Sequence, residues 1–148
     1  MRPQKPFLTI FAFLLVVNIT AQKSDDFIVV DEIAGNIEQL KMQYKGTPNA
    51  YFTEGIQPLA PEQIAIALET QQAEDLHIHV PTKPGALVFN SIAITPDKVA
   101  KLAEPLKKWG NHVSGQVFIH SDIVFTTGKG VELKQKLEDI TGLAFSMH

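Results

Sequence analysis

The sequence contains no cysteine among its 148 residues. This absence excludes disulfides, thiolate nucleophiles, cysteine-ligated metals and a lipidated N-terminal cysteine. The sequence also lacks an excess of basic charge, because 13 Lys and Arg residues stand against 16 Asp and Glu residues. A mildly acidic chain without a basic stripe is a poor candidate for binding nucleic acid or an anionic membrane surface. We therefore expect neither partner, and we expect the fold to depend on its apolar core.

The N-terminus has the three parts of a secretory signal peptide. Arg2 and Lys5 give a positive start, an apolar stretch of 11 residues follows at 7–17, and residues 18–21 end on a small side chain. The apolar stretch is short for a membrane span. We predict a cleavable signal peptide over residues 1–21. A buried N-terminal helix and an uncleaved anchor are the alternatives.

Cleavage between Ala21 and Gln22 would leave an exported chain of residues 22–148. Removing Arg2 and Lys5 lowers the number of basic residues from 13 to 11 against 16 acidic ones, which makes the net charge −5. We expect this chain to be secreted or periplasmic in a bacterial cell, with no membrane anchor after cleavage.

Short apolar runs alternate with helical patterns through the rest of the sequence. Strands are predicted at 27–30, 50–52, 76–80, 116–120 and 143–147, with a small hairpin at 86–94 folded around Asn90 and Ser91. Helices are predicted from Ile33 to Tyr44, from Pro61 to Gln72, from a Thr95 N-cap to a terminating Gly110, and over Leu133, Leu137 and Ile140 up to Gly142. This alternation predicts a single α/β domain at 22–148, a three-layer αβα sandwich with a mostly parallel sheet and a small hairpin insertion.

Ligands of such sheets bind beyond the carboxyl ends of the strands. Three of these ends carry polar side chains, namely Asp31-Glu32, the segment 80–82 and the segment 120–122. We expect a binding cleft to be built from these ends.

Three histidines are candidates for a metal site at one of these ends. His77 and His79 alternate along one strand and therefore face the same side of the sheet, and His120 belongs to the strand expected beside it. Three imidazoles on one face could bind zinc, and the alternative is that they are packed or capping residues. Since no carboxylate is paired with them in the sequence, we predict no metal and no cofactor.

Two further patterns suggest chemistry less strongly. Ser121 and Asp122 follow His120, but neighbouring side chains on a strand diverge, so a serine nucleophile would have to recruit His79 across the sheet. The segment 126–130, TTGKG, lacks the spacing of a phosphate-binding P-loop, because the glycine that such a loop needs is absent at position 123. We interpret this segment as the entry loop of a helix.

Two segments resemble a known bacterial family. HIHVPTKPG at 77–85 and VFIHSDIVFTTGKGVELKQKLEDITGLAFS at 117–146 are similar to the domain of unknown function 4347, found near the N-termini of large bacterial surface and cadherin-like adhesins. The resemblance extends from the strand at Phe27 to the strand after Thr141-Gly142. It implies a branch of the caspase-like fold.

The resemblance also implies which positions would carry chemistry. The family's Ser-His-Gly step falls on residues 80–82, so that Pro81 stands where the family has its histidine. The family's Tyr-Gly-Cys step falls on 120–122, so that Asp122 stands where the family has its cysteine. His77 matches a histidine that is structural in the family. Proline cannot move a proton, and a lone aspartate is a poor replacement for cysteine in peptide cleavage.

The resemblance therefore implies a pseudoenzyme, a non-catalytic caspase-like domain acting as a binding or assembly module at the cell surface or in the periplasm. Its partner would be a protein or peptide of the cell envelope. The degenerate cleft predicted to bind it comprises His79, Pro81, Thr82, His120, Ser121 and Asp122. One alternative is a secreted hydrolase or metal-dependent enzyme with a site rebuilt from His79, His120, Ser121 and Asp122. The other is a small structural domain detached from large adhesins.

Overall fold

The computed structural model of the chain describes residues 25–148. The predicted signal peptide over residues 1–21, with its cleavage site between Ala21 and Gln22, lies outside the described residues. Within residues 25–148, no helix combines the length and the apolar character that crossing a membrane requires.

Eight strands form a large parallel sheet and a small antiparallel one. They are β1 (Phe27–Asp31), β2 (Ala50–Thr53), β3 (Leu76–His79), β4 (Thr82–Lys83), β5 (Ala86–Val88), β6 (Ala93–Ile94), β7 (Gln116–Ile119) and β8 (Ala144–Met147). The large sheet has the order β2-β1-β3-β7-β8, and all its neighbouring strands are parallel. β3, which ends at His79, thus lies beside β7, which His120 directly follows, and the predicted proximity of these two strands is confirmed.

The small sheet has the order β4-β5-β6, so the predicted hairpin is present and gains a third strand. The turn between β4 and β5 is made by Gly85, which has a φ of 81°. The backbone N–H of Gly85 donates to the carbonyl of Val124 over 2.9 Å, which ties the hairpin to the loop after β7.

Helices cover both faces of the large sheet. They are α1 (Ile37–Gln43), α2 (Ala60–Glu69), α3 (Ala103–His112) and α4 (Gly128–Thr141). One face buries the main core, in which Val29, Ile78 and Val117 pack with Leu68 of α2 and Trp109 of α3. The other face has a much smaller core, formed by Val30, Ala34 and Leu40 with partly buried neighbours on β1, β2 and α1. The α/β sandwich of three layers predicted from the sequence is confirmed.

Two predicted helix boundaries are wrong at the third helix. Two 3-10 turns, Pro96–Lys98 and Ala100–Leu102, occupy the segment after Thr95, and α3 begins at Ala103. Gly110 does not end this helix, which continues to His112. A Cβ at Gly110 would lie 2.0 Å from the carbonyl oxygen of Thr141, so the glycine serves a close crossing of α3 and the end of α4.

The predicted start of the first helix is also wrong. Ile33 lies in a turn before α1 and is 42% exposed. Its N–H donates to a carboxylate oxygen of Asp31 over 3.3 Å, and the Ala34 N–H donates to the Asp31 carbonyl over 2.9 Å, which together form a turn in place of a helix. Gly142 does end α4 as predicted, in a left-handed conformation with a φ of 75°.

Candidate functional site

A cavity of about 580 Å³ lies at the carboxyl edge of the large sheet. This volume is in the range of about 300–1,000 Å³ that is typical of sites for small ligands. Loops after β1, β3 and β7 surround it, at the position where the strand order reverses between β1 and β3. Its lining residues are Ala34, Gly35, Asn36, His79, Val80, Pro81, Thr82, His120, Ser121, Asp122, Ile123 and His148. All six residues of the predicted cleft are among them.

The hydroxyl groups of this cavity are bonded to each other and to the backbone. Thr82 Oγ1 and Ser121 Oγ lie 2.7 Å apart, and one donates a hydrogen bond to the other. Ser121 Oγ also accepts hydrogen bonds from the N–H groups of Ile123 at 3.1 Å and Val124 at 3.2 Å. Serine commonly makes such bonds where a chain turns after a strand. The Ser121 side chain thus holds the loop after β7 and joins it to β4.

The two positions at which the resemblance implies departures from the family both line this cavity. Pro81 is half-buried, and its carbonyl accepts a hydrogen bond from the Val88 N–H at 2.8 Å, so that it belongs to the base of the hairpin. Asp122 is exposed in the loop after β7. A proline ring and a carboxylate therefore share the cavity.

The histidines of β3 and of the residue after β7 come together, as their alternation predicts. Nδ1 of His77 and Nε2 of His120 lie 3.1 Å apart. The rings of His79 and His120 are stacked, with centroids 3.9 Å apart and planes 17° from parallel. Among the described residues, Nε2 of His79 is buried and has no hydrogen-bond partner.

Burial determines the charge of these two stacked rings. It lowers the pKa of His79 from 6.5 to about 4, with smaller contributions from the neighbouring His77 and His148. The pKa of His120 is lowered to about 4 for the same reason, with His79, His77 and His148 adding to the shift. Both imidazoles are therefore neutral at neutral pH and keep a lone pair for hydrogen bonding or metal binding.

His148 lines the same cavity and was not predicted from the sequence. Its ring centroid lies 4.8 Å from that of His120 and 5.9 Å from that of His77. The rule that predicted the other residues could have found it, because His148 directly follows β8, which pairs with β7. Gly35 and Asn36 were missed as well, since they follow β1 at a distance of several residues.

The side chains of Asp31 and Glu32, at the end of β1, do not line the cavity. Asp31 is fully buried, and its carboxylate accepts hydrogen bonds from Thr53 Oγ1 at 2.6 Å and from the Asn90 N–H at 2.9 Å. Glu32 accepts hydrogen bonds from the Gly55 N–H and from the Asn90 side chain. Both carboxylates thus join the end of β1 to other loops, and from this strand end it is residues 34–36 that line the cavity.

The TTGKG segment forms the entry loop of a helix, as interpreted from the sequence. Thr127 is the N-cap of α4, and its Oγ1 accepts a hydrogen bond from the Gly130 N–H at 3.1 Å. This bond satisfies one of the backbone donors that the first turn of a helix leaves unpaired.

The structure and the cavity together define an α/β sandwich with a polar, histidine-containing cavity at the carboxyl edge of its sheet. As the side chains stand in residues 25–148, no group of three or more His, Asp or Glu residues is arranged to hold a metal ion. Comparisons of the chain with protein-family models, with curated proteins and with solved structures found no match. The resemblance to the domain of unknown function 4347, and with it the caspase-like assignment, stays a prediction.

Proposed function

We propose that the protein is an exported, non-catalytic domain of caspase-like type that binds a protein or peptide of the cell envelope. The cavity at the carboxyl edge of the sheet is its binding site. Export depends on the predicted signal peptide, and the caspase-like type depends on the resemblance of the segments 77–85 and 117–146.

One observation carries the proposal: Pro81 and Asp122 line one cavity together with neutral imidazoles and tethered hydroxyls. These positions correspond by resemblance to the histidine and the cysteine of the family. A proline has no proton to exchange, and its ring fixes the backbone at this point. The cavity keeps hydrogen-bonding groups for a ligand while its two key positions hold no nucleophile and base of the family type.

The serine in the cavity is better suited to a structural role than to nucleophilic attack. A nucleophilic serine needs a base that takes its proton, usually a histidine within about 2.6–3.2 Å. The hydroxyl of Ser121 instead bonds to Thr82 and accepts from two backbone N–H groups. These contacts support the non-catalytic proposal over a rebuilt hydrolase.

A cleavage assay tests the absence of peptidase activity. The exported chain is incubated with a peptide library beside its Ser121→Ala and His79→Ala variants, and products are identified by mass spectrometry. We expect no turnover in any of the three proteins. Turnover by the parent that disappears in either variant would show a rebuilt hydrolytic site and would overturn the proposal.

A second experiment tests binding at the cavity. Asp122 is exposed at its rim, so Asp122→Trp should obstruct the cavity without disturbing the core. Glu69→Trp at the exposed end of α2 is the matched control. The parent and the control should capture the same protein from envelope and medium fractions, and Asp122→Trp should lose it. Equal capture by all three proteins would exclude the cavity as the binding site.

A further inference from the structure

Four of the five histidines of the chain gather on one face of the sheet. They are His77, His79, His120 and His148. On this face α1 packs over β1 and β2, and the histidine rings lie beyond it on β3 and directly after β7 and β8. His112 is the exception, at the end of α3 beside Gln72.

The distances among three of these rings are close to those expected for ligands of one metal ion, although the rings are not arranged to hold one as they stand. Zinc bonds to imidazole nitrogens are about 2.0–2.1 Å long, so that tetrahedral geometry puts two ligating nitrogens roughly 3.3 Å apart and their ring centroids roughly 5 Å apart. Nδ1 of His77 and Nε2 of His120 lie 3.1 Å apart. The three centroid distances are 5.4 Å for His77 and His120, 4.8 Å for His120 and His148, and 5.9 Å for His77 and His148.

The three rings are not stacked on one another. Their planes are inclined by 41° for His77 and His120, by 73° for His120 and His148, and by 83° for His77 and His148. The rings do not yet meet the geometry of a bound ion. Binding an ion would require side chains to move and the His77–His120 hydrogen bond to be replaced. The exposed side chain of His148 can turn, while its backbone N–H donates to the Ile119 carbonyl over 2.9 Å.

A carboxylate stands behind one of the three rings. Asp26 Oδ2 lies 3.4 Å from Nε2 of His77, the nitrogen that is not bonded to His120. A histidine that binds a metal commonly donates its other ring N–H to a carboxylate, which fixes the tautomer and the orientation of the ring. His79 supports the second ring in a different way, because it stacks on His120 and restricts its rotation.

We propose that His77, His120 and His148 bind one divalent metal ion such as Zn²⁺, and that Asp26 orients the ring of His77. Imidazole nitrogens are suited to zinc, copper and nickel ions. Three protein ligands leave a fourth position, which water or a ligand in the cavity can fill. Metal binding at this site is independent of the proposed function, because it is measured without any peptide or protein partner.

Titration calorimetry with Zn²⁺ tests the site. The full exported chain is prepared without a polyhistidine tag, treated with chelator and then titrated. We expect one Zn²⁺ per chain, loss of this binding in His120→Gln and His148→Gln, and an affinity lower by about 10–100-fold in Asp26→Asn. His112→Gln is the matched control and should bind as the parent does.

A spectroscopic measurement on the parent protein avoids any dependence on variants that fold poorly. On addition of Zn²⁺, the ring nitrogen signals of His77, His120 and His148 should shift in NMR spectra, while those of His112 should not. Co²⁺ in place of Zn²⁺ should give the visible absorption of a tetrahedral complex. Absence of saturable binding at millimolar Zn²⁺, undiminished binding in His148→Gln, or unshifted signals of the three rings would overturn the proposal.

Discussion

The crossing of α3 and α4 at Gly110 allows one prediction to be worked out quantitatively. Gly110→Ala adds a methyl group that would lie 2.0 Å from the carbonyl oxygen of Thr141 and 3.1 Å from its carbonyl carbon. The atoms that the methyl group would meet belong to the backbone of Thr141, so the rotation of a side chain cannot relieve the clash. The Thr141 segment is also held in place, because Gly142 N–H donates to Glu138 and Leu143 N–H donates to Thr141 Oγ1.

Two effects of opposite sign decide the outcome of this substitution. Alanine is favoured over glycine inside a helix by about 0.8–1.0 kcal/mol. Forcing an additional methyl group into a close-packed contact costs typically about 1–3 kcal/mol, and more where the backbone must move. Because a contact of 2.0 Å requires the two helices to separate, we expect the steric cost to win and the protein to lose roughly 1–2 kcal/mol of stability.

The assay is urea unfolding followed by the fluorescence of Trp109, the single tryptophan of the chain, which is fully buried and next to Gly110 in sequence. Gly128→Ala is the control, since Gly128 begins α4 and nothing lies within 4 Å of the place that its methyl group would occupy. This control should be stabilised by about 0.4–1 kcal/mol. Gly110→Ala that proves as stable as the parent, or more stable, would refute the argument.

Three further predictions concern a buried amide, a carboxylate at the sheet edge and the N-terminus. Gln63→Ala should lower the free energy of unfolding by roughly 2–4 kcal/mol in urea titrations, because the Gln63 amide oxygen accepts from the Glu54 N–H and its two N–H groups are shared among three backbone carbonyls of the loop 54–58. Burial by itself raises the pKa of Glu138, but hydrogen bonds from the Phe145 N–H and a lysine lower it below its ordinary 4.5. The stability that Glu138 adds is therefore complete above pH 4.5 and lost as the pH falls through the lowered pKa; Glu138→Gln should remove this part of the pH dependence of unfolding. N-terminal sequencing of the native protein should find cleavage of the Ala21–Gln22 bond, and a membrane-bound chain that keeps residues 1–21 would contradict it.

Local patterns were sufficient to predict most of the architecture. The apolar run of β1 and the alternation of β3 and β7 follow from burial of strands on one or both faces, which depends on each segment alone. The rule that ligands meet the carboxyl ends of parallel strands then predicted that His79, His120 and Asp122 would share a cavity. The structure brings these side chains together.

The errors arise where a distant part of the chain determines the role of a residue. Gly110 resembles a helix terminator in sequence, but its role depends on Thr141, which approaches from another helix. Asp31 follows a strand as a ligand-binding residue would, but Thr53 and Asn90 enclose its carboxylate. No local pattern contains these contacts. His148 is a different case, because it directly follows β8, which pairs with β7, and the rule for strand ends applies to it.

The unequal cores on the two faces of the sheet have a consequence for how the molecule opens. The face of α1 rests on three buried side chains, Val30, Ala34 and Leu40, whereas the opposite face carries the main core. Regions with few buried apolar contacts unfold locally at a lower free energy than the whole domain. The segment 34–43 should thus exchange its amide hydrogens through partial opening, well before those of β3 and β7. Since residues 34–36 line the cavity, part of the wall that a ligand meets belongs to a segment with few buried apolar contacts.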